Sequence, residues 1–72
     1  MKKEEIKVSY APLWKLLVER EIKKSELREI TGIAASTFTK MTKNEMVSLG
    51  VLARISLMLD CKLDDIVSIT KR

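Results

Sequence analysis

The chain has 72 residues, 46% apolar and 33% charged, with a formal net charge of +4. That length admits one small domain, burying roughly 60% of the surface its unfolded form exposes, and the apolar content is too high for disorder. One cysteine and no histidine exclude an internal disulfide framework, and no segment approaches the ~20 apolar residues of a membrane span.

The N-terminus, "MKKEEIKVSY", is positively charged, but Lys15, Glu19 and Arg20 interrupt the apolar run that a signal peptide would need next. A cytoplasmic location is expected, and the lone Cys61 suits its reducing conditions. In "IKVSY", Ile6 and Val8 alternate with polar residues in the manner of a short strand. Pro12 fits an early helix position, because its missing N–H would have no intrahelical partner there. Leu13, Trp14, Leu16, Leu17 and Ile22 then recur at helical spacing, predicting a first helix from about Ala11 to Glu21.

In "KKSELREITG", Ser25 is the expected N-cap of a short second helix over Glu26 to Thr31. Glu26 and Glu29 favour its positive start. Leu27 and Ile30 share one face, and Gly32 closes the helix in a left-handed conformation. After the turn, Ile33, Phe38 and Met41 face inward while Ser36, Thr37, Thr39, Lys40 and Lys43 take the outer side. From Ile30 to Asn44 there are two lysines and no acid.

A fourth helix begins at a Ser48 cap and carries Leu49, Leu52, Ile55, Ser56 and Leu59 as its stripe. Cys61 fills a core position as a small hydrophobe. "KLDDIVSI" predicts a fifth short helix with Asp64 and Asp65 in its first turn and Ile66 and Val67 inward. "VSIT" has the same two-residue alternation as the N-terminal segment, so the two ends could pair with each other or across a dimer. For Lys2, Lys3, Lys7, Lys15, Lys62, Lys71 and Arg72, a solvated surface is expected.

Two helices joined by a tight glycine turn, the second with a small polar outer face, have the plan of a helix-turn-helix, here at about residues 25–43. The run "WKLLVEREIKKSELREITGIAASTFTKM", continued by "VSLGVLARISLMLDCKLDDIV", resembles the Cro/repressor-type helix-turn-helix family, and within it a subgroup of short single-domain members. The resemblance implies an all-α, five-helix domain that inserts its third helix into the DNA major groove, to which the end patterns above would add short terminal strands. It implies that Ala35, Ser36 and Lys40 face base edges and that Lys43 and Asn44 touch the backbone or groove edge. Lys24 and Ser25, by the same resemblance, anchor phosphate. The residues themselves are consistent with this. Short Ser36, Thr37 and Thr39 permit close approach and can bond to bases or phosphates, and an acid there would repel phosphate.

Three departures stand out. Arg28 replaces the usual small residue against the third helix. Ala34 and Ala35 replace the usual Ser/Thr-type cap, at a cost of ~1 kcal/mol. The third helix also lacks the Gln, Asn or Arg that makes bidentate base contacts.

The expected function is a small, dimeric, sequence-preferring DNA-binding repressor acting on double-stranded DNA. The dimer is expected through Val51, Met58, Val67, Ile69 and the end strands. The alternative is a protein-binding module on the same fold, an antitoxin or inhibitor, motivated by the weak base-reading chemistry and by Met41, Met46 and Met58. A membrane-surface role for "PLWKLLVEREIKK" conflicts with its need as a core helix. No enzyme, cofactor or metal is expected: the chain has no glycine-rich phosphate loop and no cysteine pair. Adjacent Asp64 and Asp65 would point roughly 100° apart on a helix, so they do not form an acid–base pair.

Overall fold

The computed structural model describes residues 6–71. Lys2, Lys3 and Arg72, expected to be solvated, lie outside the described residues. In chain order the elements are β1 (Ile6–Ser9), α1 (Ala11–Glu19), α2 (Lys24–Thr31), α3 (Ala35–Thr42), α4 (Leu49–Leu59), a single 3-10 turn at Leu63–Asp65, and β2 (Ser68–Lys71).

Among the described residues four α-helices form, and the expected fifth does not. "KLDDIVSI" forms a single turn. The Asp65 carboxylate accepts from the Lys62 N–H at 2.9 Å and caps the start of that turn. The residues after Ile66 are then drawn into a strand, where β-branched side chains pack well. β1 and β2 pair antiparallel, with Ile6 opposite Lys71, Val8 opposite Ile69, and Ser9 opposite Ser68. The two end segments therefore pair with each other within one chain, with Val8 of β1 reaching the core.

Core side chains come from every helix. Leu13 and Leu17 of α1, Leu27 of α2, Met41 of α3, and Ile55 and Leu59 of α4 are buried, together with Val8, Tyr10, Ile33 and Ile66. Trp14, Leu16, Ile22, Phe38, Leu52, Cys61 and Val67 pack against this cluster while partly exposed. Two expected core positions turn outward. Ile30 is 48% exposed, because α2 buries Leu27 and Thr31, one full turn apart, instead of Leu27 and Ile30. Thr31 meets its hydrogen-bonding need inside the helix, its Oγ1 donating to the Leu27 carbonyl at 2.6 Å. Leu49 is 67% exposed, since it lies in the first turn of α4, outside the Ile55–Leu59 face.

The helix ends explain several boundaries. α1 stops at Glu19 because Glu21 adopts φ 56° and the Ile22 N–H reaches back to the Leu17 carbonyl. The same closure recurs after α3, with Asn44 at φ 59° and Glu45 bonded to Lys40, and after α4, with Asp60 at φ 51° and Cys61 bonded to Ser56. These are Schellman-type endings, with a left-handed residue and a bond spanning the last turn. α2 ends on Gly32 at φ 68°, the expected glycine. At the N-termini, Ser48 caps α4 as expected, its Oγ accepting from the Val51 N–H at 3.2 Å. Ser25 does not cap α2. That helix starts one residue before Ser25, and Glu26 reaches back to the Lys23 N–H at 2.9 Å.

Candidate nucleic-acid interface

Gly32 and Ile33 turn the chain between α2 and α3. Ile33 and Met41 are buried and Phe38 half-buried, so one face of α3 is held against the core. The opposite face follows from helical spacing. Ala35, Ser36, Thr39, Lys40 and Lys43 are exposed, and Thr37 is half-buried. Thr37 and Lys40 also line a cleft of about 320 Å³ with Met46, Val47, Ser48 and Val51, where α3 faces the start of α4.

The local chemistry of this face is uneven. Ala34 occupies the N-cap of α3 in extended conformation, with no side-chain bond to the first turn. The Thr39 hydroxyl donates to the Ala35 carbonyl at 3.0 Å, so it faces outward as an acceptor with its methyl group. At the C-terminus of α3, Lys40 and Lys43 place cations where the helix dipole is negative.

Asn44 is exposed yet structurally committed. Its Oδ1 accepts from the Tyr10 N–H at 3.2 Å while its backbone takes the left-handed turn. Its amide NH2 group is left to donate to a ligand. Lys24 and Ser25 open α2 and are both exposed. The Lys24 Nζ lies 4.4 Å from the centroid of the Trp14 ring, which in turn meets Phe38 edge-on at 5.7 Å and 62°.

The structure thus brings Ala35, Ser36, Thr37, Thr39 and Lys40 onto one helix, with Lys43 at its C-cap and Asn44 just past it. Lys24 and Ser25 lie at the start of α2, and Lys24 is linked to α3 through Trp14 and Phe38. Arg28 is exposed, which lets its guanidinium head stay in water.

Three supporting residues were not visible as such in the sequence. Tyr10 is 1% exposed, and its hydroxyl donates to the Glu45 carbonyl at 2.8 Å. With the Asn44 bond, this fastens the segment after α3 to the start of α1. Its sequence signal is slight: a lone tyrosine between a strand and a proline-started helix. Burial raises the Tyr10 phenol above its ordinary pKa, and a backbone hydrogen bond at Val47 opposes that shift. Arg54 donates to the Thr31 carbonyl at 3.3 Å, and Arg20 donates to the Leu59 carbonyl. Both arginines thereby place a cation at a helix C-terminus, a favourable dipole arrangement. Neither link is between neighbours in sequence, so periodicity carries no sign of them.

Residues 12–72 match the family of Cro/C1-type helix-turn-helix DNA-binding domains. The chain belongs to this family. Among solved structures, the crystal structure of the transcriptional regulator VanUg, form II, is similar over 100% of this chain and 96% of its own, with 46% identity and a TM-score of 0.93. Comparison with curated proteins gave no match. Among its described residues this Cro/C1-type domain has four α-helices and a two-stranded sheet. No helix among the described residues is long and apolar enough to cross a membrane.

Proposed function

We propose that this chain, as one domain, binds double-stranded DNA with sequence preference, laying the outer face of α3 in the major groove as a dimeric transcriptional repressor. One observation carries the reading. The helix after the turn is locked on its inner side by Ile33, Phe38 and Met41, while its outer side is exposed, short and free of acids. Such a surface can approach phosphate without repulsion and bring hydroxyls and methyl groups to base edges. The likeness to VanUg, a transcriptional regulator, supports the regulatory part.

In this reading Ala35, Ser36 and Lys40 meet base edges, with Thr37 and Thr39 beside them. Lys24, Ser25, Lys43 and the amide nitrogen of Asn44 meet the backbone. With no Gln or Arg on α3, base discrimination by bidentate bonds is limited, and a second copy supplies both affinity and half-site spacing. The dimer surface best supported is an apolar groove of about 230 Å³ lined by Ile6, Val8, Met46, Val47, Val67 and Ile69. Of the residues expected there, Val67 and Ile69 line this groove, while Val51 lies in the cleft beside α3 and the exposed Met58 lines neither.

The same groove, with Met46 exposed, is what favours the alternative of a protein partner. Met41 no longer contributes to that argument, because it is fully buried. Selection from random duplex DNA tests the reading: an enriched palindrome with half-site centres about 34 Å apart is the expected result. Recovery of no preferred sequence, with binding only to another protein, would favour the alternative.

A further inference from the structure

We infer that Trp14 is a positioning residue for DNA binding: its indole face holds the Lys24 ammonium in place for a phosphate contact. This rests on the DNA-binding reading above.

The juxtaposition joins three elements. Trp14 projects from α1, Lys24 is the first residue of α2, and Phe38 lies on the inner side of α3. The Nζ of Lys24 is 4.4 Å from the ring centroid, within the reach of a cation–π attraction. Phe38 meets the same ring edge-on at 5.7 Å, which ties the indole to the helix that carries the DNA-facing residues. Trp14 is half-buried and Lys24 exposed, so one side of the ammonium faces the ring and the rest faces solvent.

A free lysine has four flexible bonds, and fixing them at a phosphate costs conformational entropy. A side chain already folded onto a rigid ring has lost much of that freedom before DNA arrives, which is how preorganisation raises affinity. The ring attracts the charge without consuming all three N–H donors, so donors remain for phosphate oxygens. Trp14 therefore acts on DNA only through Lys24.

Because Trp14 is the sole tryptophan, biosynthetic replacement by fluorinated tryptophans alters this ring alone. Fluorine drains negative charge from the ring face and leaves the packing shape nearly unchanged. Affinity for a labelled random-sequence duplex is measured across the fluorination series, in the wild-type chain and in Lys24→Gln, with thermal melts alongside. The expected result is a stepwise loss reaching about two- to fivefold in the wild type and none in Lys24→Gln. Trp14→Phe should fall between wild type and Trp14→Leu.

Equal losses in both backgrounds would overturn the inference and leave Trp14 as a packing residue. Tighter binding on fluorination would overturn it too, because the ring would then be withholding Lys24 from phosphate. A wild-type chain that binds no duplex would remove the DNA-binding reading itself. Salt-dependent binding by wild type that is insensitive to fluorination would remove only the role of Trp14.

Discussion

Tyr10 and Cys61 show how much single side chains set beyond simple packing. The Tyr10 hydroxyl bonds the Glu45 carbonyl and its N–H bonds Asn44, so one residue secures the exit of α3 against the start of α1. Tyr10→Phe should cost about 1 kcal/mol in a denaturant melt at neutral pH; a midpoint equal to wild type would show the bond to be dispensable. Burial raises the phenol pKa above its ordinary 10.0, so the unfolded chain ionises first. The stabilisation is present below about pH 10 and lost as pH rises through the folded value. Tyr10→Phe should flatten this alkaline decline. Cys61 is half-buried as expected for a small hydrophobe. Burial raises its thiol pKa, Asp65 and Asp60 act in the same direction, and Arg20 opposes them. Thiolate is therefore scarcer than in a free peptide. Alkylation should be slower at mildly alkaline pH, with its rate profile displaced upward in pH. Labelling as fast as a cysteine peptide would contradict this.

At the scale of elements, the signals that could be read were those with a local cause. Gly32 announces a left-handed turn and Ser48 a cap, and both do what their chemistry predicts. The apolar spacing of Leu13, Leu17, Ile55 and Leu59 marks their buried faces in the same way. The outer face of α3, from Ala35 to Lys43, was legible for a similar reason, since its lack of acids is written directly in the chain. Other features depend on distant partners or on unfavoured conformations. Glu21 takes a left-handed backbone without being a residue type that favours it, so α1 ends two residues before the expected Glu21. The fifth helix gave way because β2 found a partner in β1 about sixty residues earlier in the chain. The commitment of Asn44 to Tyr10 was equally hidden, as it joins positions 34 residues apart. The bare N-cap at Ala34 was visible, and it makes a prediction at this scale. Ala34 has the extended backbone a cap requires, so Ala34→Ser should stabilise the fold by about 1 kcal/mol. An unchanged melting midpoint would mean that another group already satisfies the start of α3.

For the whole molecule, the closed arrangement of the two chain ends has a consequence for assembly. Pairing β1 with β2 places Ile6, Val8 and Ile69 on one side of a two-stranded sheet, beside Met46 and Val47. An isolated pair of short strands is marginal in water, and Ile69 is 67% exposed here. Packing against a second copy would cover this surface. Under the proposed dimer, Ile69→Asp should therefore shift sedimentation from dimer to monomer while retaining the helical signal. A dimer unaffected by that substitution would place the interface elsewhere. Loss of dimerisation should also weaken DNA binding, because each copy brings few phosphate contacts.

The central claim, that α3 presents its acid-free face to duplex DNA, is tested most directly by Lys40→Glu in a salt-dependent binding titration. Wild type should lose affinity linearly in log salt, by about 0.9 for each phosphate contact. Lys40→Glu should abolish measurable binding with its thermal melt nearly unchanged, since Lys40 is exposed. Duplex affinity and salt slope equal to wild type in that variant would contradict the account.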